Sequence, residues 1–391
     1  MFRSVARESD GSGDVLSLHR GLGVVKKGSV DGNHNRTPED LTRYQAVRQK
    51  DVVVNRMKAW QGSAGVAPQS GIISAHYLVF EPLLDAYDSR FLGWLLQSPL
   101  MIERYQRASV GIRTSQWELS RGAFAELRLP RPPLDTQRRI ADMLDAETAR
   151  LDTLIEKKQV AVGSTRARLE RLRWDLVTGR SSSSARREVA LAWADTLPET
   201  WPIVSLQYLI TSKYGFPFKS DGFTSDPAST PVVRIRDVVP NRVQTWTEES
   251  PHGNVWLDNG DIVIGMDGDF NHVRWDGGRA ALNQRVCSVR SSSENLTDDY
   301  LTEVLGYPLR HINETVHFTT VKHLSFADLM AEKIPVPPVA DQAAIVRELS
   351  SERDATERLT SAANRSIELL RLRRQALITA AVTGEIETRG N

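Results

Sequence analysis

Arg56, Lys58, Trp60 and Gln61 place two cations, an indole and an amide within six residues. Cations anchor phosphates, an amide reads base edges and a ring packs against sugar or base, so the stretch suits contact with DNA. The competing reading puts Trp60 in the core and leaves only its polar neighbours in water. Asp267 and Asp269 alternate around Gly268, behind the apolar run 262–264. Such a pair can converge on a cation; alternatively the glycines allow a tight loop, and the carboxylates accept from cytosine amino groups or brace the turn. Arg113, Thr114, Ser115, Gln116 and Trp117 lead into Leu119-Ser120, just as Thr319, Thr320, Val321, Lys322 and His323 lead into Leu324-Ser325. Polar loops at matching places are candidates for groove contacts.

Motifs for bond-making chemistry do not accompany these residues. A methyl-transferring chain would carry a Gly-rich S-adenosylmethionine loop and an Asn/Asp-Pro-Pro-aromatic motif for an extruded base. Pro132-Pro133 follows Arg131 and precedes Leu134, so it has neither flank. No Gly-x4-Gly-Lys-Ser/Thr loop and no His-Glu-x-x-His pair occurs, and the eight histidines never fall at ligand spacing. One cysteine, Cys287, excludes an intramolecular disulfide and a multi-cysteine zinc site. The expectation is a non-catalytic chain that holds no metal or cofactor.

What must position the candidates is a repeat. Residues 129–179 recur as 334–384 at a constant offset of 205, without a gap. Pro130, Pro132, Pro133, Gln137, Ile140, Leu144, Leu154, Val177, Thr178 and Gly179 reappear as Pro335, Pro337, Pro338, Gln342, Ile345, Leu349, Leu359, Val382, Thr383 and Gly384. Each copy opens on prolines, which cannot sit in a helix interior, and then runs for more than forty residues without another. That predicts one long helix per copy, a spacer of about 65 Å over residues 136–178 at roughly 1.5 Å per residue. In the second copy Leu349, Thr356, Ala363, Leu370 and Leu377 fall seven apart, with Ile345 and Leu359 on a companion seam, the repeat of a two-helix coiled coil. In the first, Lys158 and Thr165 occupy seam positions and Gly163 lies mid-helix, where a kink or gap is expected. Two such helices, each behind a globular segment, pack most simply antiparallel.

At 391 residues the chain is long enough for two or three domains with proper cores. Its 50 Lys and Arg against 49 Asp and Glu leave a net charge of +1, so any charged surface must be local. There is no run of eighteen apolar residues and no charged-then-apolar leader, which with the lone cysteine gives the expectation of a soluble, cytoplasmic protein.

In order, residues 1–128 read as a first α/β domain with β-type runs at 22–25, 51–55 and 72–80 and two short helices split by Pro99. Residues 129–180 are the first proline lead-in and helix, 181–196 a Ser-rich flexible linker, 197–333 a second α/β domain, and 334–391 the second lead-in and helix with a tail. Asp51-Val52-Val53-Val54 resembles Asp261-Ile262-Val263-Ile264, so the domains repeat as well. The second opens with Leu197-Pro198-Glu199-Thr200-Trp201 and a strand at 203–206 that has no counterpart in the first, which is short by that strand. The fold class expected is α+β: two α/β domains separated by two long antiparallel coiled-coil helices in a pseudo-two-fold repeat.

The proline lead-in, Gln-x-x-Ile, long helix and terminal Val-Thr-Gly together resemble the specificity subunit of type I restriction-modification systems, over nearly the whole chain. Residues 31–36 (Asp-Gly-Asn-His-Asn-Arg) and 55–62 look like one class of that family's target-recognition domains. Residues 214–219, 233–237, 265–270 and 282–285 look like another. The resemblance implies that each domain reads one half of a split DNA target, with contacts from Asn35, Arg36, Arg56, Lys58, Trp60, Gln61, Arg113, Ser115 and Gln116 in the first domain. In the second they come from Lys219, Arg234, Arg236, Asp269, Asn271, Asn283, Gln284, Arg285, Thr320, Lys322 and His323; for the cations among them the competing reading is a solvated strand end. It further implies double-stranded DNA and two methyltransferase subunits as partners, with restriction subunits joining the full complex. S-adenosylmethionine, ATP and Mg would be bound by those partners and not by this chain. Because the two domains differ in sequence, the target would be two unlike half-sites. The rival readings are an enzyme in its own right, which the missing motifs oppose, and an antirestriction or structural coiled-coil adaptor derived from such a subunit.

Overall fold

The computed structural model describes residues 2–29, 37–38, 40–83, 86–111, 117–315 and 322–386. The chain divides into two compact units, residues 1–161 with 362–391, and residues 162–361.

The first unit contains β1 (Phe2–Val5), β2 (Leu16–His19), β3 (Gly23–Lys26), β4 (Tyr44–Val47), β5 (Val52–Asn55), β6 (Ala64–Val66), β7 (Gly71–Ser74) and β8 (Tyr77–Pro82), then α1 (Ser89–Leu96), α2 (Pro99–Ala108), α3 (Arg121–Ala125) and the start of α4 (Leu134–Val177). Its main sheet is antiparallel in the order β1-β8-β5-β6, with β2-β3 and β4-β7 as two further pairs. Successive side chains of the central strand β5 point to opposite faces. Val52 and Val54 pack with Phe91, Leu95 and Tyr105 of the helices, and Val53 packs with Leu16, Val24, Val47 and Ile73 of the paired strands. All three valines are fully buried, which is why this strand is an unbroken β-branched run. Pro99 splits the helical segment as its position demands, with Ser98 accepting from Met101 N at 3.3 Å and Pro99 at the start of the next helix.

The second unit takes the rest of α4 and then β9 (Arg186–Leu191), β10 (Ala194–Pro198), β11 (Ile203–Ser205), β12 (Ile210–Tyr214), β13 (Phe223–Thr224), β14 (Thr230–Val233), α5 (Ile235–Val238), β15 (Thr245–Thr247), β16 (Trp256–Leu257), β17 (Ile262–Gly265), β18 (His272–Arg274), β19 (Ala280–Leu282) and β20 (Val286–Ser291). α6 (Asp298–Val304), α7 (Gly306–Thr315), α8 (Phe326–Ala331), β21 (Lys333–Pro335) and α9 (Val339–Thr383) follow. The sheet β12-β20-β17-β18 repeats the order β1-β8-β5-β6, and a five-stranded sheet β13-β15-β14-β19-β16 is added to it. The second half of the expected flexible linker is instead the hairpin β9–β10. The Arg186 guanidinium ties that hairpin to the end of α4 by donating to the carbonyls of Gly179 (2.8 Å) and Thr178 (3.2 Å).

The strand repeat extends to a turn. Asp51 and Asp261 are both buried, and each accepts from the amide three residues back, Arg48 N at 2.7 Å and Asp258 N at 3.0 Å. The residue before each has positive φ, Lys50 at 72° and Gly260 at 92°. Arg7 neutralises the first carboxylate, Lys213 (2.9 Å) and Arg290 (3.0 Å) the second.

The repeated helix motifs have distinct tasks. Gln137 is fully buried, takes Asp88 N at 2.8 Å and donates to the carbonyls of Ala86 (3.0 Å) and Pro132 (2.8 Å). Gln342 does the same with Thr297 N (2.9 Å), Asn295 O (2.7 Å) and Pro337 O (2.8 Å). Each glutamine thus bolts the start of a long helix to the N-cap of a short one, α1 in the first unit and α6 in the second. At the other end Gly179 and Gly384 adopt φ of 62° and 82°. Arg180 N reaches back to Asp175 O (2.7 Å) and Glu385 N to Ala380 O (2.9 Å), which stops the helices in the left-handed C-terminal turn that glycine permits.

Within the first unit Ile140, Ala141 and Leu144 of α4 share a core with Ile378, Ala381 and Val382 of α9, and Asp152 pairs with Arg374 at 3.1 Å. Within the second, Leu176 and Val177 share a core with Ile345 and Leu349. The start of one helix therefore lies beside the end of the other in each unit, and the helices run antiparallel. Their seam departs from the heptad expectation. Leu359 is 63% exposed and its repeat mate Leu154 is 40% exposed, whereas Thr360 and Ile155 are buried. From Ile345 to Ala381 is 36 residues, ten turns at about 3.6 residues each, so a straight helix drifts off a strict seven-residue seam and carries Leu359 outward. α4 runs through Gly163 as one continuous helix.

Candidate nucleic-acid interface

In the first unit the candidates follow the end of β5. Asn55 Oδ1 accepts from Met57 N (3.1 Å), and the 3-10 turn Ala59–Gln61 closes on Gly62, with φ of 91° and Ile102 Cδ1 only 2.8 Å from where a Cβ would stand. Trp60 is half-buried: its Nε1 donates to Met57 O (3.1 Å) and its ring meets Trp117 edge-on at 5.7 Å. Arg56 pairs with Glu118 at 2.7 Å, and its carbonyl takes Leu119 N at 2.9 Å. Arg20 donates to the Gln61 side chain, and Lys58 is exposed.

Lys58 also lines a cleft of about 440 Å³ together with His19, Arg20 and Lys27 around the hairpin β2–β3, and with Tyr44, Asn55, His76 and Tyr77. Its walls carry three permanent cations, two imidazoles and two phenols, and no carboxylate. Three acids of this unit pair elsewhere: Asp14 with Lys26 at 2.7 Å, Asp51 with Arg7, and Glu81 with Arg7 at 3.3 Å. Burial, and the neighbouring Tyr44, raise the pKa of Tyr77, which keeps its hydroxyl a donor. A concave, acid-free cationic wall with phenol donors attracts a polyanion. His19, Arg20, Lys27, Tyr44, His76 and Tyr77 were not found by sequence reasoning, because they come from strand ends far apart in the chain; Arg20 and Lys27 at the two ends of one predictable hairpin were the available signal.

In the second unit Asp267 is the hub. Its carboxylate binds Arg285 (3.2 Å) and His323 (2.7 Å), and Lys322 O accepts from Gly268 N at 3.2 Å. The Lys322 ammonium donates to Asn313 Oδ1 (2.6 Å), while Asn313 donates to Gly268 O. The loop 265–271 is therefore braced by Arg285, Lys322 and His323, with Asp269, Asn271 and Gln284 exposed around it. Among the described residues no group of acids, histidines and cysteines could hold a metal ion.

Asn283 has a structural task. It is 8% exposed, its Oδ1 takes Gln284 N (2.7 Å), and its carbonyl lies where a Cβ on Gly215 would stand, so it shapes the turn. Arg234 is half-buried over the Phe223 ring at 4.9 Å and Arg236 donates to Thr245 Oγ1 at 2.7 Å; both belong to the five-stranded sheet side. Lys219 is exposed, its backbone held by Glu249 at 3.0 Å. Asn35, Arg36, Arg113, Ser115, Gln116 and Thr320 lie outside the described residues.

The sequence matches the family described as type I restriction modification DNA specificity domain twice, over residues 28–162 and 198–369. The chain belongs to that family. It is 31% identical over 191 residues to the type I restriction enzyme EcoBI specificity subunit of Escherichia coli, a match that takes in 49% of this chain and 40% of that relative. It is 21% identical over 371 residues to the MjaVIII specificity subunit of Methanocaldococcus jannaschii, covering 89% of this chain and 83% of the relative. In fold it resembles a chain from a study of assembly and conformational transition of the type I R-M system, with a TM-score of 0.73, 16% identity and 98% of both chains covered. The HsdS subunit from Thermoanaerobacter tengcongensis aligns with a TM-score of 0.51 and 17% identity over 98% of this chain and 97% of its own.

Proposed function

We propose that this chain is the non-catalytic, sequence-reading subunit of a type I restriction-modification complex. Each unit reads one half of a bipartite, asymmetric target in double-stranded DNA. The observation that carries this is the acid-free cationic cleft beside the 55–61 turn, lined by Arg20, Lys27 and Lys58. An antirestriction mimic of DNA would present carboxylates on that wall, so the cleft also argues against the adaptor reading.

Two methyltransferase subunits dock on the long helices, and restriction subunits join the full complex. Support comes from apolar residues exposed in register on both helices: Leu134 with Val339, and Leu154 with Leu359. Equivalent uncovered side chains at equivalent repeat positions are what two copies of one partner require. S-adenosylmethionine, ATP and Mg belong to those partners. The test is to combine the purified chain with a methyltransferase subunit and map methylation. Transfer to a split sequence only in the mixture supports the reading, and transfer by the chain alone sinks it.

A further inference from the structure

The hairpin β2–β3 ends in a turn that puts an apolar side chain into water. Leu16 and Val24 root its strands in the core with Val53 of β5, and His19 pairs with Gly23 across the last rung. Between them stand Arg20, Gly21 and Leu22, with Leu22 N donating to His19 O at 3.3 Å. Gly21 and Gly23 both have positive φ, 80° and 76°, a backbone that glycine permits and other residues resist. Leu22, held between them, is 59% exposed.

A lone exposed leucine is ordinary on a protein surface. This one is set apart by what surrounds it. His19 and Arg20 ahead of it and Lys27 behind it line the acid-free cleft, and the Arg20 guanidinium donates to the Gln61 side chain, which ties the tip to the 55–61 turn. The tip is packed from one side as well: a Cβ on Gly23 would stand 3.0 Å from Gln97 Nε2. The cations repel a basic partner and draw a polyanion, so what meets Leu22 carries negative charge outside and apolar surface within. Duplex DNA is built that way, with phosphates along its edges and stacked base faces between them.

We propose that Leu22 is a wedge that enters the duplex between two base pairs of the first half-site, while Arg20 and Lys27 hold phosphates beside it. Leu22 thereby adds a second mode of reading to the DNA recognition proposed above, on which this role rests. Apolar wedges part the stack and kink the duplex, at a cost set by the step that is opened. Pyrimidine–purine steps open most readily, so the first half-site gains a preference at a step whose base edges need no hydrogen bond from the protein. A leucine can do this because its side chain has no polar atom that a base edge must match.

The probe is a set of duplexes bearing the sequence that the full chain and a methyltransferase subunit together methylate, each with 2-aminopurine at one position in or beside the first half-site. Fluorescence is read at saturation, because it rises where stacking is lost. A methyltransferase extrudes its own target base, so that position serves as a control that Leu22 does not set. The expected result is a further rise at one step away from the methylated base, lost in Leu22→Ala and kept in Leu22→Met. The melting midpoint and the salt dependence of binding stay unchanged in both variants, since neither the fold nor a cation is touched. The wedge is overturned if no rise occurs away from the methylated base, if the rise persists in Leu22→Ala, or if Leu22→Met loses it as fully as alanine does. Should no duplex be bound at all, the DNA-reading function itself fails and the wedge falls with it.

Discussion

His272 lines a cleft in the second unit with Glu170, Arg173, Glu303, Tyr307 and Arg353, its Nε2 donating to Thr302 O at 3.1 Å. Burial, reinforced by repulsion from Arg173, lowers its pKa below the usual 6.5, against the opposing pull of the Thr302 carbonyl and Glu303. The unfolded chain then takes up a proton below about pH 6.5 that the folded one refuses, so stability is full above that pH and falls as the pH drops toward the folded pKa. Melting followed from about pH 7.5 to about pH 5.5 is expected to show a falling midpoint, and His272→Gln to flatten that slope. An unchanged slope would assign the acid sensitivity elsewhere. In the same cleft wall Glu303 is 8% exposed and is held between Arg173 (3.1 Å) and Arg353. Glu303→Ala leaves Arg173 with Glu170 alone (2.7 Å) and takes from Arg353 its carboxylate, and a loss of about 2 kcal/mol in chemical unfolding is expected. A loss below about 1 kcal/mol would mean that solvent screens both arginines.

Among the elements, the long helices were the most legible in sequence, because an ungapped 205-residue offset carries its own control. Reading them as a heptad seam placed Leu359 inside, since a window of a few turns cannot separate a period of 3.5 from one of 3.6. The 186–198 hairpin was hidden by the serine run before it and by arginines whose role depends on the carbonyls at the end of α4. The candidate site was legible only where its residues are contiguous. The 265–270 loop and the 55–61 turn could be read, but the Asp267 pairs with Arg285 and His323, and the cleft assembled from His19, Arg20, Lys27, Lys58 and His76, could not, since register between distant segments decides them. Gly163 tests the helix directly. It lies within α4, and a Cβ there would meet nothing within 4 Å, so Gly163→Ala is expected to stabilise by up to about 1 kcal/mol, seen as a raised denaturation midpoint. Gln137→Ala should act oppositely, leaving the half-buried Asp88 amide without its acceptor and costing about 1–3 kcal/mol.

At the scale of the molecule, each unit encloses its own sheet and its own helical core, and the division between them falls within α4 and α9. A chain built in this way can change the surface of one unit without disturbing the other. Lys58 and Arg20 are exposed in the first unit, and Lys322 in the second braces the loop behind Asp267. On the proposed function, Lys58→Gln with Arg20→Gln removes two cations from the cleft of the first unit, so the salt dependence of DNA binding should fall by nearly two units of slope. Methylation mapped across the genome should then show the first half-site weakened or relaxed, and the second half-site and the spacing between them intact. Lys322→Ala with His323→Ala should relax only the second half-site, through loss of the brace on the 265–271 loop. If either pair relaxes both half-sites, or changes the spacing while both sequences hold, the units do not read independently, and the two-headed reading of this chain is wrong.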